Sequence, residues 1–238
     1  MIFTLEDRPS DSPFVERIWC AQSERTGDLL SIAMSHWEMV VSRHQDKTYM
    51  TVRGPETKAT RLPVTIVGTE FFGIRFKVGT VIPYLPASTL VDGDVELPDA
   101  SSKSFWLNGS AWQFPSYENA DTFIGRLVHQ DLLACDPVVE AALQGQLKDL
   151  SIRTARRHFL RTTGLTQKAI RQIERARYAT VLLQEGKSIL DVVYEAGYYD
   201  QSHLTRSLKY FIGQTPTQIM QKNGSEQLSF LYKTEPLR

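Results

Sequence analysis

Cysteine is scarce in this sequence, and long apolar runs are absent. Cys20 and Cys135 are far apart and in no paired motif, which favours two buried, reduced thiols over a redox or metal role. No stretch reaches the roughly 18 apolar residues that a membrane span needs. The first seven residues lack the basic-then-apolar layout of a signal peptide. We therefore expect a cytoplasmic protein that has no membrane partner.

The motifs of common enzyme classes are also missing. There is no nucleophile elbow, no P-loop and no dinucleotide fingerprint. His36, His44 and His129 lack the close spacing that a metal site of the cupin type needs. We therefore expect no cofactor, no metal ion and no catalysis. An enzyme with a β-rich catalytic front half, tethered to nucleic acid, is the alternative hypothesis.

Charge is divided unevenly along a chain whose formal net charge is zero. Residues 1–150 hold 13 Lys and Arg against 20 Asp and Glu, a net charge of −7. Residues 151–222 hold 12 against 5, a net charge of +7. Such asymmetry suggests that the basic part of the chain contacts a polyanion, although a chance imbalance of surface charge gives the same count.

The front half has the patterns of β structure. Residues 31–43 are rich in β-branched and aromatic residues, and residues 47–54 alternate and end on a Gly-Pro turn signal. Residues 70–79 alternate apolar positions with Gly73, Arg75 and Lys77, which predicts a half-buried strand with one polar face. Residues 83–98 are broken by prolines and predict loops and short elements.

From Glu118 onward the pattern becomes helical. One helix follows Glu118, and Asp136-Pro137 opens a short second helix that runs to about residue 143. Cap residues and glycines then predict helices at 152–162, 167–185, 189–196 and 201–212, with a final short helix from Thr215-Pro216. The fold class is therefore α+β. We expect a β-rich sensing or dimerisation domain at 1–116, an all-α domain at 117–222, and a tail at 223–238.

Residues 188–213 have the layout of a helix-turn-helix unit. A short helix ends at Gly197 and a second begins at Asp200, with apolar residues on the faces that meet. In such a unit the second helix enters the major groove, where Arg reads guanine and Gln reads adenine. An ordinary helical hairpin with a polar outer face is the alternative. The outer residues that we expect at the DNA are Gln201, Ser202, His203, Arg206 and Lys209, with Thr205 on the same face.

Residues 151–164 predict a second helix that binds DNA. Arg153, Arg156, Arg157 and Arg161 have almost no neighbouring acid, which suits contacts to phosphate and guanine better than a salt-bridged surface. The linker helix of about 19 residues spans roughly 28 Å. Successive major grooves on one face of B-DNA lie about 34 Å apart, so one chain could read two neighbouring grooves.

These residues together resemble the AraC/XylS family of bacterial transcription regulators. The matching segments are Ser151-x-Arg-Thr-x-Arg-Arg-His-Phe, Ala179-x-x-Leu-Leu, Ser188-Ile-x-Asp-Val, Gly197-Tyr-x-Asp-Gln-Ser-His-Leu-x-Arg and Gly213-x-Thr-Pro. The resemblance covers about 70 residues in order and implies two helix-turn-helix units joined by a long helix. It places base reading at Arg153, Arg156 and Arg157 in the first unit, and at Gln201, Ser202, His203 and Arg206 in the second.

The resemblance implies a sequence-specific transcription regulator that inserts two recognition helices into neighbouring grooves. The implied partners are double-stranded DNA, RNA polymerase, a second copy of the chain and a small-molecule effector. This sequence departs from the family at Gln167 (usually Pro), Ile170 (usually Tyr), and Leu204 and Leu208 (usually aromatic), swaps that should be tolerated. The turn before Ser151 is longer than usual, so the first unit is the less secure reader.

Residues 73–79 and 13–19 resemble a front domain found ahead of such DNA-binding domains. By analogy it binds an effector or makes dimers, and a regulator that responds to no ligand is the alternative. Aromatic side chains could line a ligand pocket or simply fill the core. The aromatic residues concerned are Trp37, Phe71, Phe72, Trp106, Trp112 and Phe114.

Overall fold

The protein is described by a computed structural model that covers residues 2–146, 151–221 and the backbone of 227–228. The strands are β1 Phe3–Arg8, β2 Val15–Ser23, β3 Gly27–Ser31, β4 Glu38–His44, β5 Lys47–Arg53, β6 Thr60–Val64, β7 Glu70–Phe76, β8 Thr80–Val81, β9 Asp94–Leu97, β10 Asp99–Ser101, β11 Ser104–Leu107, β12 Ser110–Gln113, β13 Ala134–Cys135 and β14 Gln227–Leu228. The helices are α1 Ala120–His129, α2 Pro137–Leu143, α3 Ile152–Thr163, α4 Gln167–Gln184, α5 Ile189–Glu195, α6 Gln201–Phe211 and α7 Pro216–Met220. The predicted α+β class, with β structure first and helices after it, is confirmed.

The main sheet has six antiparallel strands in the order β1-β2-β7-β4-β5-β9. Beside it lie the hairpins β10-β11-β12, the pair β13-β8, and the sheet β14-β3-β6. The strands predicted at 47–54 and 70–79 are confirmed as β5 and β7. The segment 31–43 is divided, because β3 ends at Ser31 and β4 begins at Glu38.

The prediction of a polar face on β7 was wrong. Gly73 and Arg75 are both buried, like their apolar neighbours. Gly73 lies against the Trp19 ring, and a Cβ atom there would fall 2.1 Å from it. Arg75 Nε donates to Glu38 Oε1 at 2.7 Å, which offsets the cost of burying the charge. Both faces of the strand are therefore covered.

One face of the main sheet carries the larger core. Ile18, Met50 and Ile74 pack there with Phe123 and Leu127 of α1. The confirmed helix α1 thus lies in the core of the front half, although it follows the boundary that we expect at residue 116. The domain division at 1–116, 117–222 and 223–238 stays a prediction.

The back half contains the helices that the caps and glycines predict. The hydroxyls of Ser151, Thr166 and Ser188 and the Asp200 carboxylate each accept a backbone N–H at the start of a helix. Thr215 begins α7 with a complete capping box. The helices at 152–162, 167–185, 189–196 and 201–212 are confirmed to within one residue at each end.

The expectation of two buried thiols was wrong. Cys135 is exposed, and Cys20 is half-buried. The two-residue strand that holds Cys135 pairs with the two-residue strand β8, away from the main sheet. Within residues 2–146 and 151–221, no helix combines the length and the hydropathy needed to cross a bilayer.

Candidate nucleic-acid interface

The second helix-turn-helix unit is built from α5 and α6. Val192 of α5 and Ala196, which directly follows this helix, pack against Leu204 and Leu208 of α6, and all four side chains are buried. The predicted apolar faces are therefore confirmed. The two leucines, which replace the usual aromatic residues, fill the same core without exposed surface.

The outer face of α6 is polar and open to solvent. Gln201, Ser202, Arg206 and Lys209 are exposed, and Thr205 is half-buried on the same side. Asp200 Oδ1 accepts the His203 backbone N–H at 2.6 Å, which fixes the start of the helix. Since none of these exposed side chains has a hydrogen bond or ion pair within the described part of the chain, they are available for a ligand.

His203 is held differently from the other predicted readers. Its ring packs edge-on against the Tyr198 ring, with centroids 5.1 Å apart, and it is half-buried. Tyr198 shares a 3.0 Å hydrogen bond with Ser207, and burial raises the pKa of its phenol. These contacts orient the imidazole at the turn between α5 and α6.

The first unit presents the arginines of α3. Ala155 and Phe159 are buried against the body of the domain. On the opposite side, Arg153, Arg156, Arg157 and Arg161 are all exposed. Within residues 2–146 and 151–221, none of the four forms an ion pair. The positive charge of these four arginines is therefore not balanced by neighbouring acidic side chains, as the sequence pattern predicts.

A carboxylate fixes α3 against α2. Asp136 caps α2 through the N–H groups of Val138 and Val139, at 3.0 Å each. Its second oxygen accepts bonds from His158 Nε2 at 2.8 Å and Thr162 Oγ1 at 3.2 Å. Burial raises the pKa of Asp136, but the bonds from Val139, His158 and Thr162 outweigh it and hold the pKa below its usual value.

The linker helix α4 fits this unit despite its departures from the family. Gln167, at the usual proline position, donates to the Ala142 carbonyl at 2.7 Å and so ties α4 to α2. Ile170, at the usual tyrosine position, is fully buried. The predicted change in the approach to the first unit involves residues 144–150, of which 147–150 lie outside the described residues.

The buried side of α4 contacts the front half. Glu174 Oε1 accepts the Ser35 hydroxyl at 2.6 Å. Arg177, only 2% exposed, donates to the Ala33 carbonyl at 3.2 Å, and burial lowers the pKa of its guanidinium. The same residue, Ala33, donates its N–H to the Phe211 carbonyl at the end of α6, at 2.7 Å.

Sequence reasoning missed an aromatic residue at this surface. Tyr199 directly precedes the cap of α6 and is 91% exposed. Tyr199 thus lies next to the N-terminal end of α6, the end of a recognition helix whose residues contact base edges in helix-turn-helix proteins. The sequence shows that Tyr199 lies between Gly197 and Asp200. It does not show which of the adjacent side chains Tyr198 and Tyr199 is buried, and the structure buries Tyr198.

The front half contains a cavity of about 520 Å³ between the main sheet and β3-β6. Its walls are mainly apolar, with Phe3, Trp19, Val40 and Phe71 among them. Its polar end holds the ion pairs Glu38–Arg75 and Arg53–Glu56, together with Arg177 of α4. Burial raises the pKa of Glu56, although Arg53 and Ser31 oppose the rise.

Most of the aromatic residues considered for a ligand pocket fill the core instead. Trp37, Phe72 and Trp112 are buried in the larger core, and Phe114 packs at its edge. Trp106 is exposed. Of the six, Phe71 alone lines the cavity just described.

Comparisons with known proteins bear on the helical half. Residues 148–222 match a protein-family model described as "Helix-turn-helix domain". A comparison with curated proteins found no significant match. The match covers the second unit and α3 of the first unit, and it favours a regulator over the alternative of an enzyme.

Two solved structures of ToxT from Vibrio cholerae are similar over most of the chain. One covers 92% of this chain and 98% of its own, with 8% identity and a TM-score of 0.42. The other, an apo single-residue variant from strain SCE256, covers 92% and 97%, with 9% identity and a TM-score of 0.37. At these identities and TM-scores, the similarity is no evidence of a shared function.

The family match and the geometry agree on one region. Both units have their apolar faces packed and their polar faces exposed, and the matched range 148–222 contains the second unit and α3 of the first. Residues 148–222 therefore form a helix-turn-helix domain.

Proposed function

We propose that the protein binds its operator by inserting α3 and α6 into neighbouring major grooves. The observation that carries the proposal is that both helices present exposed, uncompensated polar faces in two units joined by one long helix, α4. At 1.5 Å per residue, the 18 residues of α4 span about 27 Å. That span is close to the roughly 34 Å between successive grooves.

The residues have different roles in this proposal. Arg206 and Gln201 read guanine and adenine in one groove, where Ser202 and His203 add contacts of lower selectivity. Arg153, Arg156 and Arg157 act in the other groove. Lys209 and Arg161, nearer the ends of their helices, contact phosphates and fix the register of the protein.

Selection of bound sequences from random DNA tests this proposal. We expect a site with two conserved blocks whose centres lie about 10 base pairs apart. The same selection with Arg206→Ala should lose preference in one block, and that with Arg156→Ala in the other. A single block that responds to only one of the two variants would contradict two-groove reading.

We also propose that a small-molecule effector acts through the front cavity. Its volume of about 520 Å³ lies within the range of ligand pockets, and its walls combine apolar side chains with polar and charged ones that could orient a ligand. The segment 31–35 connects this cavity to the DNA-binding half. Ser31, Ile32 and Met34 line the cavity, while Ala33 bonds both to α4 and to α6. Displacement of this segment by a ligand would therefore bias the position of both units.

A thermal-shift screen against small metabolites tests effector control. Ala21 lines the cavity, so Ala21→Leu should abolish the shift produced by a true ligand while DNA binding persists. A ligand that raises the melting temperature of wild type and of the Ala21→Leu variant equally binds outside this cavity. No hit across broad metabolite classes, with normal DNA binding, would favour a regulator without a ligand. Contact with RNA polymerase and homodimer formation stay predictions.

A further inference from the structure

The solvent side of α4 carries a row of basic residues. Lys168, Arg171 and Arg175 are spaced three and four residues apart, which puts them on one face of the helix. Lys168 and Arg171 are exposed, and neither forms an ion pair within the described residues. We call these three residues the basic stripe. The basic stripe lies on α4, outside the two recognition helices α3 and α6.

The basic stripe lies in a groove between α3, α4 and α5 with a volume of about 930 Å³. Arg156, which belongs to the exposed face of α3, lines the groove. Arg175, which also lines it, donates to the Gly197 carbonyl at 3.3 Å, in the turn that leads into α6. The groove therefore runs from one recognition helix to the start of the other.

Arg175, which lines the groove, has a buried donor. Its guanidinium lies 4.5 Å from the centre of the Tyr198 ring. Its Nε atom is buried and finds no hydrogen-bond acceptor in the described part of the chain. A buried N–H without an acceptor is costly, so an oxygen from a ligand in the groove would relieve the cost.

The acidic side chains of the groove are already engaged. Glu174 is buried and accepts the Ser35 hydroxyl. Glu195 pairs with Lys187 and accepts the Tyr178 hydroxyl, and these two bonds hold its pKa below the usual value. The groove therefore keeps an excess of positive charge from Arg156 and the basic stripe.

We infer that the basic stripe binds the phosphates of the DNA strand that crosses α4 between the two major grooves. This inference rests on the proposed two-groove binding, because the backbone passes the linker helix only when both recognition helices are inserted. Phosphate contacts fix the register of a protein without reading sequence. Through the basic stripe, α4 binds the DNA backbone in addition to separating the two recognition helices.

The double variant Lys168→Ala, Arg171→Ala tests the inference in the full-length protein. Both side chains are exposed, so the fold should be retained. Each lost phosphate contact lowers the slope of log K against log salt by about 0.9, so we expect a decrease of about 1.8. The selected sequence should not change. Lys103→Ala, an exposed lysine in the turn between β10 and β11, is the control and should leave the slope unaltered.

Ethylation interference locates the contacts on the DNA. We expect wild-type binding to be blocked by ethylation of phosphates between the two base-contact blocks, and the double variant to lose this sensitivity. An unchanged salt slope and interference pattern in the double variant would overturn the inference, even where Arg206→Ala still weakens binding. If Arg156→Ala and Arg206→Ala also leave binding unaltered, the failure lies with two-groove reading itself.

Discussion

The Ser35 hydroxyl donates a 2.6 Å hydrogen bond to the Glu174 carboxylate, and this bond joins the front β domain to the middle of the linker helix. Both residues are buried. Ala33 of the same segment also bonds to α4 and to the end of α6. Segment 31–35 therefore joins the front half to the helix that lies between the two units.

Ser35→Ala should destabilise the protein by about 1–3 kcal/mol, because it leaves the buried Glu174 carboxylate without its donor. Urea unfolding measures the loss. Ser102→Ala, in the exposed turn between β10 and β11, is the control and should change stability by no more than about 0.5 kcal/mol. Equal stability of the Ser35 variant and wild type would show that the bond does not hold the halves together.

Arg206→Ala should weaken operator binding by about 1–3 kcal/mol and relax the preference at one base pair. Lys209→Ala should instead weaken binding to all sequences alike and lower the salt slope by about one. Fluorescence anisotropy with operator and scrambled DNA at several salt concentrations separates the two effects. If Arg206→Ala leaves affinity and preference unaltered, α6 is not the reader.

Asp136→Ala should destabilise the first unit by about 1–2 kcal/mol at neutral pH, since it removes the cap of α2 and the acceptor for His158 and Thr162. The pKa of Asp136 in the folded state lies below its usual value of 3.8. Its contribution to stability is therefore full above about pH 4 and is lost as the pH falls through the lowered pKa.

Thermal unfolding of wild type and the Asp136 variant between pH 7 and pH 3 checks this pH dependence. The difference in stability should persist down to about pH 4 and shrink below it. Asp131→Asn, at an exposed turn after α1, should show no such difference. A difference that grows as the pH falls would mean that the sign of the pKa shift is wrong.

Gly73→Ala should cost about 1–3 kcal/mol, because the new methyl group would overlap the buried Trp19 ring. Trp19→Phe in the same protein should recover part of that loss, and a double-mutant cycle in urea measures the coupling. Gly125→Ala in α1, where nothing lies within 4 Å, should be neutral or stabilising. Additive effects of the Gly73 and Trp19 changes would contradict the proposed contact.

The helical half could be predicted closely because its signals are local. Ser151, Ser188 and Asp200 begin helices through bonds to residues two or three positions away, and such bonds leave a pattern in the sequence. The outward position of Arg206 follows from the burial of Leu204 and Leu208 on the same helix.

The front half could be predicted only in part because its important contacts are distant in sequence. The burial of Arg75 depends on Glu38, and that of Gly73 depends on Trp19, so alternation alone predicted a solvent face that does not exist. The cavity arises from the packing of two sheets, and no local pattern marks it. The contact of Ala33 with Arg177 joins residues 144 positions apart.

Guanine methylation interference on the selected operator tests two-groove reading most directly. We predict two clusters of sensitive guanine N7 atoms, about one helical turn apart on the same face of the DNA. Arg156→Ala should remove sensitivity in one cluster and Arg206→Ala in the other. One cluster that vanishes with Arg206→Ala and is unaltered by Arg156→Ala would show that α3 does not read bases.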